Sequence, residues 1–404
     1  MRHSNLCGVA VLALILIPAS LLACLWDHDT LMMERSRFPS VLELITGKFL
    51  RHSKEFYEWR ISDRLLRLEK DPDNLAFYDD LAVAYDKTGQ NGKAIEMMIK
   101  KEAKKPGLYE TYANLGTFYI HGGQAENGLE YIDRALKLNP DAHFGREKYQ
   151  RLLVEFILLR KKEGILAPPF SRKDSLRDPL AEGASSPMLR KAADYSSFVL
   201  DQNSQRVGNR YGQESERQEA IKGVLGMMKF GNYDSPILLE ALGGLLSSGV
   251  TDDRSNDGKR LAARAYLKAS YLSKGESAKR AYRELAKYVL EMQTRHPDTN
   301  TPVELEELEP AFLNELKAGA EWFAELRMNE LNWIKEGKNP ELEFDRLYAE
   351  EPQLPPSVEG EPPFFTTRTI VTLIFGGIGI LLVTTVALLI RNSIRGRRPI
   401  RVES

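Results

Sequence analysis

Apolar and polar positions follow a helical period over most of the chain. Tyr78, Leu81, Ala82 and Tyr85 fall at i, i+3, i+4 and i+7, one stripe of a helix. The same spacing returns downstream in Tyr112, Leu115, Gly116 and Tyr119. Upstream, Tyr57, Ile61, Leu65 and Leu68 form a stripe between Glu55 and Leu68 that stops before Pro72. Downstream, the pattern predicts a helix from Phe144 to Lys161, with Gln150 and Arg151 in place of apolar and small residues. Further on, Ser235-Pro236 opens a helix with Gly249 at its far end. Leu261–Leu272 and Ser277–Thr294 read as a helical hairpin around Gly275, the second helix carrying Ala278, Ala281, Tyr282, Leu285, Val289 and Met292 on one face. Ala311–Ile334 reads as a long helix with Trp322, Phe323 and Trp333. Strand signals are scarce, so the chain is expected to be all-α.

The first half is organised by a repeat. Pro72, Pro106 and Pro140 are evenly spaced, and the segments between them align. Tyr78 pairs with Tyr112, Leu81 with Leu115, Ala82 with Gly116 and Tyr85 with Tyr119; further along, Gly89 pairs with Gly123, Ala94 with Gly128, Met98 with Ile132 and Lys101 with Ala135. Small residues at Ala82 and Gly116 admit a closely packed second helix. Gly89 and Gly123 sit where the first helix must turn, and the prolines end the second. This pattern resembles the tetratricopeptide repeat, in two consecutive copies over 75–108 and 109–142. The resemblance implies an array of α-hairpins. Two repeats bury little surface alone, so neighbours should complete the stack: a degenerate repeat over 37–74 and a charged capping helix over 143–166. A Pro/Ser-rich linker over 167–212, with at most a short helix, leads to a second repeat-like helical region over 213–350.

The two ends carry membrane signals. Arg2 and His3 precede an apolar run from Leu6 to Ala23 with small residues near its exit, the layout of a secretory signal over 1–24. Leu21-Leu22-Ala23-Cys24 resembles a bacterial lipobox, so cleavage, lipidation at Cys24 and retention as an anchor all stay open. From Thr369 to Ile390 the chain holds 22 uncharged residues, about 33 Å of helix, enough to cross the hydrocarbon core. A tail over 391–404 follows with Arg391, Arg395, Arg397, Arg398 and Arg401, while Glu350, Glu351, Glu359 and Glu361 precede the span. Basic residues stay cytoplasmic, so a single-pass C-terminal anchor is expected, with the helical body outside the cytoplasm and the tail inside. The segment 351–368, whose first part carries five prolines, is an extended stalk. No Asn-X-Ser/Thr acceptor occurs, which fits a bacterial envelope and a periplasmic body.

Composition narrows the function class. With 57 acidic and 56 basic side chains the net charge is −1, which offers no basic field for nucleic acid. Two cysteines exclude a disulfide framework and a multi-cysteine zinc site. The six histidines, His3, His28, His52, His121, His143 and His296, lack partners at metal-ligand spacing. Gly376-Gly377-Ile378-Gly379 lies inside the predicted span, where close helix packing is the better reading, and Trp26-Asp27-His28-Asp29 reads as an interfacial tryptophan with polar neighbours. No cofactor and no catalytic constellation is expected.

The expectation is therefore a non-enzymatic, membrane-anchored scaffold or assembly factor that binds a protein or peptide. By analogy with related repeats, the first helix of each pair lines the concave face, and Asp79, Asp86, Lys87, Thr117 and His121 are expected to meet the partner there. The alternative is an envelope enzyme or transport subunit with its site in the second helical region.

Overall fold

In a computed structural model, residues 38–140, 145–171, 194–203, 210–248, 255–291 and 303–348 are described, and every regular element among them is helical. The signal segment over 1–24, the stalk, the span over 369–390 and the arginine tail lie outside the described residues. Among the described residues no helix is long and apolar enough to cross a membrane.

The chain opens with α1 (Val41–Thr46), started by a capping box in which Ser40 and Glu43 satisfy each other's backbone N–H groups. Helix α2 (Lys54–Lys70) follows, capped by Ser53, whose hydroxyl accepts from the Phe56 N–H. Then come two pairs of matching length: α3 (Leu75–Lys87) with α4 (Asn91–Lys104), and α5 (Tyr109–His121) with α6 (Ala125–Leu138), 13 and 14 residues in each pair. Positions that align between the two repeats do the same work. Leu81 and Leu115 are buried, as are Met98 and Ile132 in the paired helices. Contact in the second pair is close enough to demand glycine: a Cβ on Gly128 would lie 2.4 Å from an Ile120 side-chain carbon and 2.8 Å from the Gly116 carbonyl oxygen.

Helix α7 (Arg146–Lys162) packs on α6 and, on its other side, on α9 (Arg210–Met227). It is an interior helix and not the terminal cap expected from its charge, since Arg146, Glu147, Gln150 and Arg160 are all buried. The segment expected as a linker also reaches the core: Phe170 is buried, and the short α8 (Tyr195–Gln202) buries Tyr195 and Phe198 against Phe156. A π-helical turn (Met228–Asn232) continues α9, and α10 (Pro236–Ser247), capped by Ser235, α11 (Ser255–Leu272) and α12 (Glu276–Glu291) pack in succession.

The last helices return to the first. Helix α13 (Leu305–Lys335) packs on α1, α2, α11 and α12, and α14 (Pro340–Leu347) packs on α13. Helix α13 begins before the expected Ala311, running through Pro310. Proline there leaves the Glu306 carbonyl without its helical partner, but both residues are exposed or half-exposed and water can serve it. Polar groups fix the closure. Arg60 Nε donates to Glu341 Oε1 at 2.8 Å, and Glu330 accepts from the Ser53 N–H at 2.8 Å and from His52 Nδ1 at 2.6 Å. The described residues of the two halves expected as separate regions thus share one compact body.

Candidate functional site

The five side chains expected on a partner-facing surface sit on the inner sides of α3 and α5, and the structure brings four of them into its interior. Asp79, Asp86, Thr117 and His121 are buried, and Lys87 is half-buried. The expected open lining is closed because these groups bond to one another, to adjacent helices and to the chain's own second half.

Asp79 is held across the first pair. Its Oδ2 accepts from Lys101 Nζ at 2.6 Å and its Oδ1 from Asn114 Nδ2 at 3.3 Å. Burial pushes the Asp79 carboxyl up from 3.8 to about 7, with the Lys101 ammonium pulling the other way. Asp86 accepts from Asn91 Nδ2 at 2.6 Å and faces His121 Nδ1 at 2.8 Å. A carboxylate can only accept, so Nδ1 carries the proton that joins the two, and Nε2 points away from Asp86. One turn earlier on α5, Thr117 Oγ1 accepts from Gln150 Nε2 of α7 at 3.2 Å.

Against α7 runs a strap made of α9 and the π-helical turn. On α7 it lies so close that a Cβ on Gly223 would fall 2.5 Å from the Tyr149 ring, and the Arg146 guanidinium stands 4.7 Å from the centre of the Phe230 ring. At α3 it is caught by Lys87, whose Nζ donates to the carbonyls of Phe230 at 2.8 Å and Gly231 at 2.6 Å. The carbonyls at the end of a helical segment carry partial negative charge, so a lysine there is favourable. Beyond the turn, Arg51 donates to the Tyr233 hydroxyl at 3.0 Å while its guanidinium stacks between the Tyr233 and Phe323 rings.

Some buried polar groups of α5 and α7 are only partly served. Thr111 Oγ1, His121 Nε2, Glu147 Oε1 and Gln150 Oε1 are buried with no hydrogen-bond partner among the described residues. The residues that sequence reasoning missed are those of the strap and of α7, namely Phe230, Gly231, Arg146, Glu147 and Gln150. Gly223 and Gly226, three apart on α9, are the local hint of a close crossing. A His–Asp pair can orient an imidazole for proton transfer, but chemistry also needs a nucleophile within hydrogen-bond reach of Nε2. Among the described residues no cluster of three or more His, Cys, Asp or Glu side chains fits a metal ion.

No family model matches the chain, and no curated protein matches it.

Proposed function

We propose that this chain is a non-enzymatic scaffold of the tetratricopeptide type, anchored in a membrane by its C-terminal span, that binds a protein or peptide outside the cytoplasm. The observation that carries the reading is the equivalence of the two helix pairs. They have equal lengths, left-handed glycines at Gly89 and Gly123 in the same turn, and buried residues at aligned positions, Leu81 with Leu115 and Met98 with Ile132. Stacked pairs of this kind build a curved surface, and polypeptide recognition is a natural use of it. The apolar segments near both ends and the arginine tail support the membrane placement.

The test is cross-linking in native membranes followed by purification of the full chain. One stoichiometric protein partner, cross-linked through residues of α3 and α5, is the expected result. Recovery of the chain alone, with turnover of a small molecule by the purified protein, would overturn the reading.

A further inference from the structure

The exposed side of α4 is basic. Lys93, Lys100 and Lys104 are exposed and stand at i, i+7 and i+11, one stripe about 16 Å long along the helix. Lys105 is exposed at its end. The whole chain has a net charge of −1, so this is a local excess and not a share of a general one. We infer that this side of α4 is a docking surface for an acidic polypeptide segment, whose carboxylates meet Lys93, Lys100 and Lys104. It adds a contact surface to the scaffold reading and is tested apart from it.

The second repeat separates recognition from folding. On α6 the positions aligned with the three lysines hold Asn127, Arg134 and Leu138, and Asn139 aligns with Lys105. Both hairpins nevertheless bury the same core positions, Ala94 with Gly128 and Met98 with Ile132. Packing of the hairpin therefore does not call for lysine at positions 93 and 104, where asparagine and leucine serve the same fold.

The carboxylates already near the stripe hold it loosely. Lys100 pairs with Glu96 at 2.7 Å and Lys104 with Asp73 at 2.8 Å, both at the surface, where such pairs contribute little and exchange readily. Lys93 Nζ donates to the neutral Gln90 Oε1 at 2.8 Å. Its ammonium also lies 5.3 Å from the centre of the Tyr85 ring, and that of Lys104 lies 6.0 Å from the Tyr78 ring. The rings of α3 thus steady both ends of the stripe, and ordering them on binding costs less than ordering fully solvated side chains. A narrow ligand suits this arrangement. Glu96 is exposed beside the stripe, so a broad anionic plane would press on it, whereas a single acidic chain can follow the lysines alone.

The experiment uses the full chain in neutral detergent and follows the anisotropy of a dye-labelled peptide of consecutive glutamates, beside a glutamine peptide of the same length. The glutamate peptide should bind, more weakly as salt rises, and the glutamine peptide should not. Lys93→Gln, Lys100→Gln and Lys104→Gln together should weaken binding about tenfold with little change in melting temperature, since all three side chains are exposed. Lys93→Asn with Lys104→Leu, the residues of the second repeat, serves if that variant melts early, and should weaken binding to a smaller extent. Lys222→Gln, Lys287→Gln and Lys317→Gln together remove the same charge from α9, α12 and α13 and should leave binding unchanged. Absence of glutamate-peptide binding would overturn the inference, as would equal weakening by both triple variants, because the attraction would then belong to no one surface. A further arm places the full chain in nanodiscs of phosphatidylcholine with and without phosphatidylglycerol. Protection of residues 91–105 from hydrogen exchange that appears only with the anionic lipid would assign the surface to the membrane and overturn the inference. None of these results bears on the cross-linking test of the scaffold reading, which reads α3 and α5.

Discussion

Lys87 Nζ lies 2.8 Å from the carbonyl oxygen of Phe230, a residue 143 positions further along the chain. The lysine expected to reach outward from a groove is instead one of the points at which the second half of the body is fastened to the first.

That relationship sets the first prediction. Lys87→Met keeps the length of the side chain and removes the charged donor from two carbonyls. Hydrogen bonds to charged groups contribute about 1.5–3 kcal/mol, and a half-buried site keeps part of that value. Thermal unfolding of the full chain should show a loss on the order of 1 kcal/mol or more, with faster hydrogen exchange in residues 228–233. Unchanged exchange in that segment would mean that Lys87 does not hold it.

The repeat core gives the second. A Cβ on Gly116 would lie 2.7 Å from an Ile132 side-chain carbon, and its backbone neighbour at 3.0 Å leaves little room to yield. Gly116→Leu overpacks this contact and should destabilise by about 1–3 kcal/mol or more, read as a lower melting temperature. Gly89→Asn, at a turn with nothing within 4 Å and φ of 80°, should change it little, because asparagine tolerates the left-handed region.

The helices of the repeats are legible in the sequence because their signals are local: a stripe at i, i+3, i+4 and i+7, glycines at turns and evenly spaced prolines. The five inner-face positions are legible as a set sharing one side of α3 and α5. Their burial is not, because it depends on which partner each meets on another helix, such as Asp79 with Asn114, Thr117 with Gln150 and Lys87 with Phe230, and these pairings leave no periodic trace. The interior place of α7 is obscured for the same reason. Arg146, Glu147 and Gln150 look like a solvated face until α9 is laid against them. The start of α13 is hidden by proline's usual role as a helix boundary, whereas at Pro310 the freed carbonyl faces water.

Asp79 makes a prediction in pH. Its carboxyl is raised in the folded state to about 7, chiefly by burial, and returns toward 3.8 when the chain unfolds. The folded state therefore holds the proton more tightly. The stability this contributes is fully present below about pH 4 and is lost as pH rises through 7. Asp79→Asn mimics the neutral carboxyl and has no such dependence, so its melting temperature should gain on the wild type between pH 5 and pH 8. If the difference between the two melting temperatures stays constant over that range, the Lys101 pair outweighs desolvation, and Asp79 is ionised throughout it.

Membrane topology is tested separately, because the residues concerned lie outside the described ones. The five tail arginines should keep the C-terminus in the cytoplasm. A reporter fused after Ser404 should behave as cytoplasmic, and one inserted in the stalk near Gly360 as extracytoplasmic. The reverse pattern would move the helical body to the other side.

The closure between α2 and α14 offers the largest expected effect. Arg60 is fully buried, and its Nε and Nη2 both lie 2.8 Å from Glu341 Oε1. Arg64 shares Glu341 but also pairs with Asp80 at 2.8 Å and with Asp63. Glu341→Ala therefore leaves Arg64 with two carboxylates and removes from Arg60 the acceptor nearest its guanidinium. Breaking a buried pair from one side costs about 3–5 kcal/mol, and the partial exposure of Glu341 places the expected loss at or below the lower end. Arg60→Met should cost less, since it removes the charge along with its need for a partner, and the double substitution Arg60→Met with Glu341→Ala should cost less than the sum of the two single losses. Denaturant unfolding of the wild type, the two single variants at these positions and the double variant gives the coupling between them. A coupling near zero would mean that groups other than Glu341 satisfy Arg60, and that α14 is held to α2 by the Arg64 pair and apolar packing.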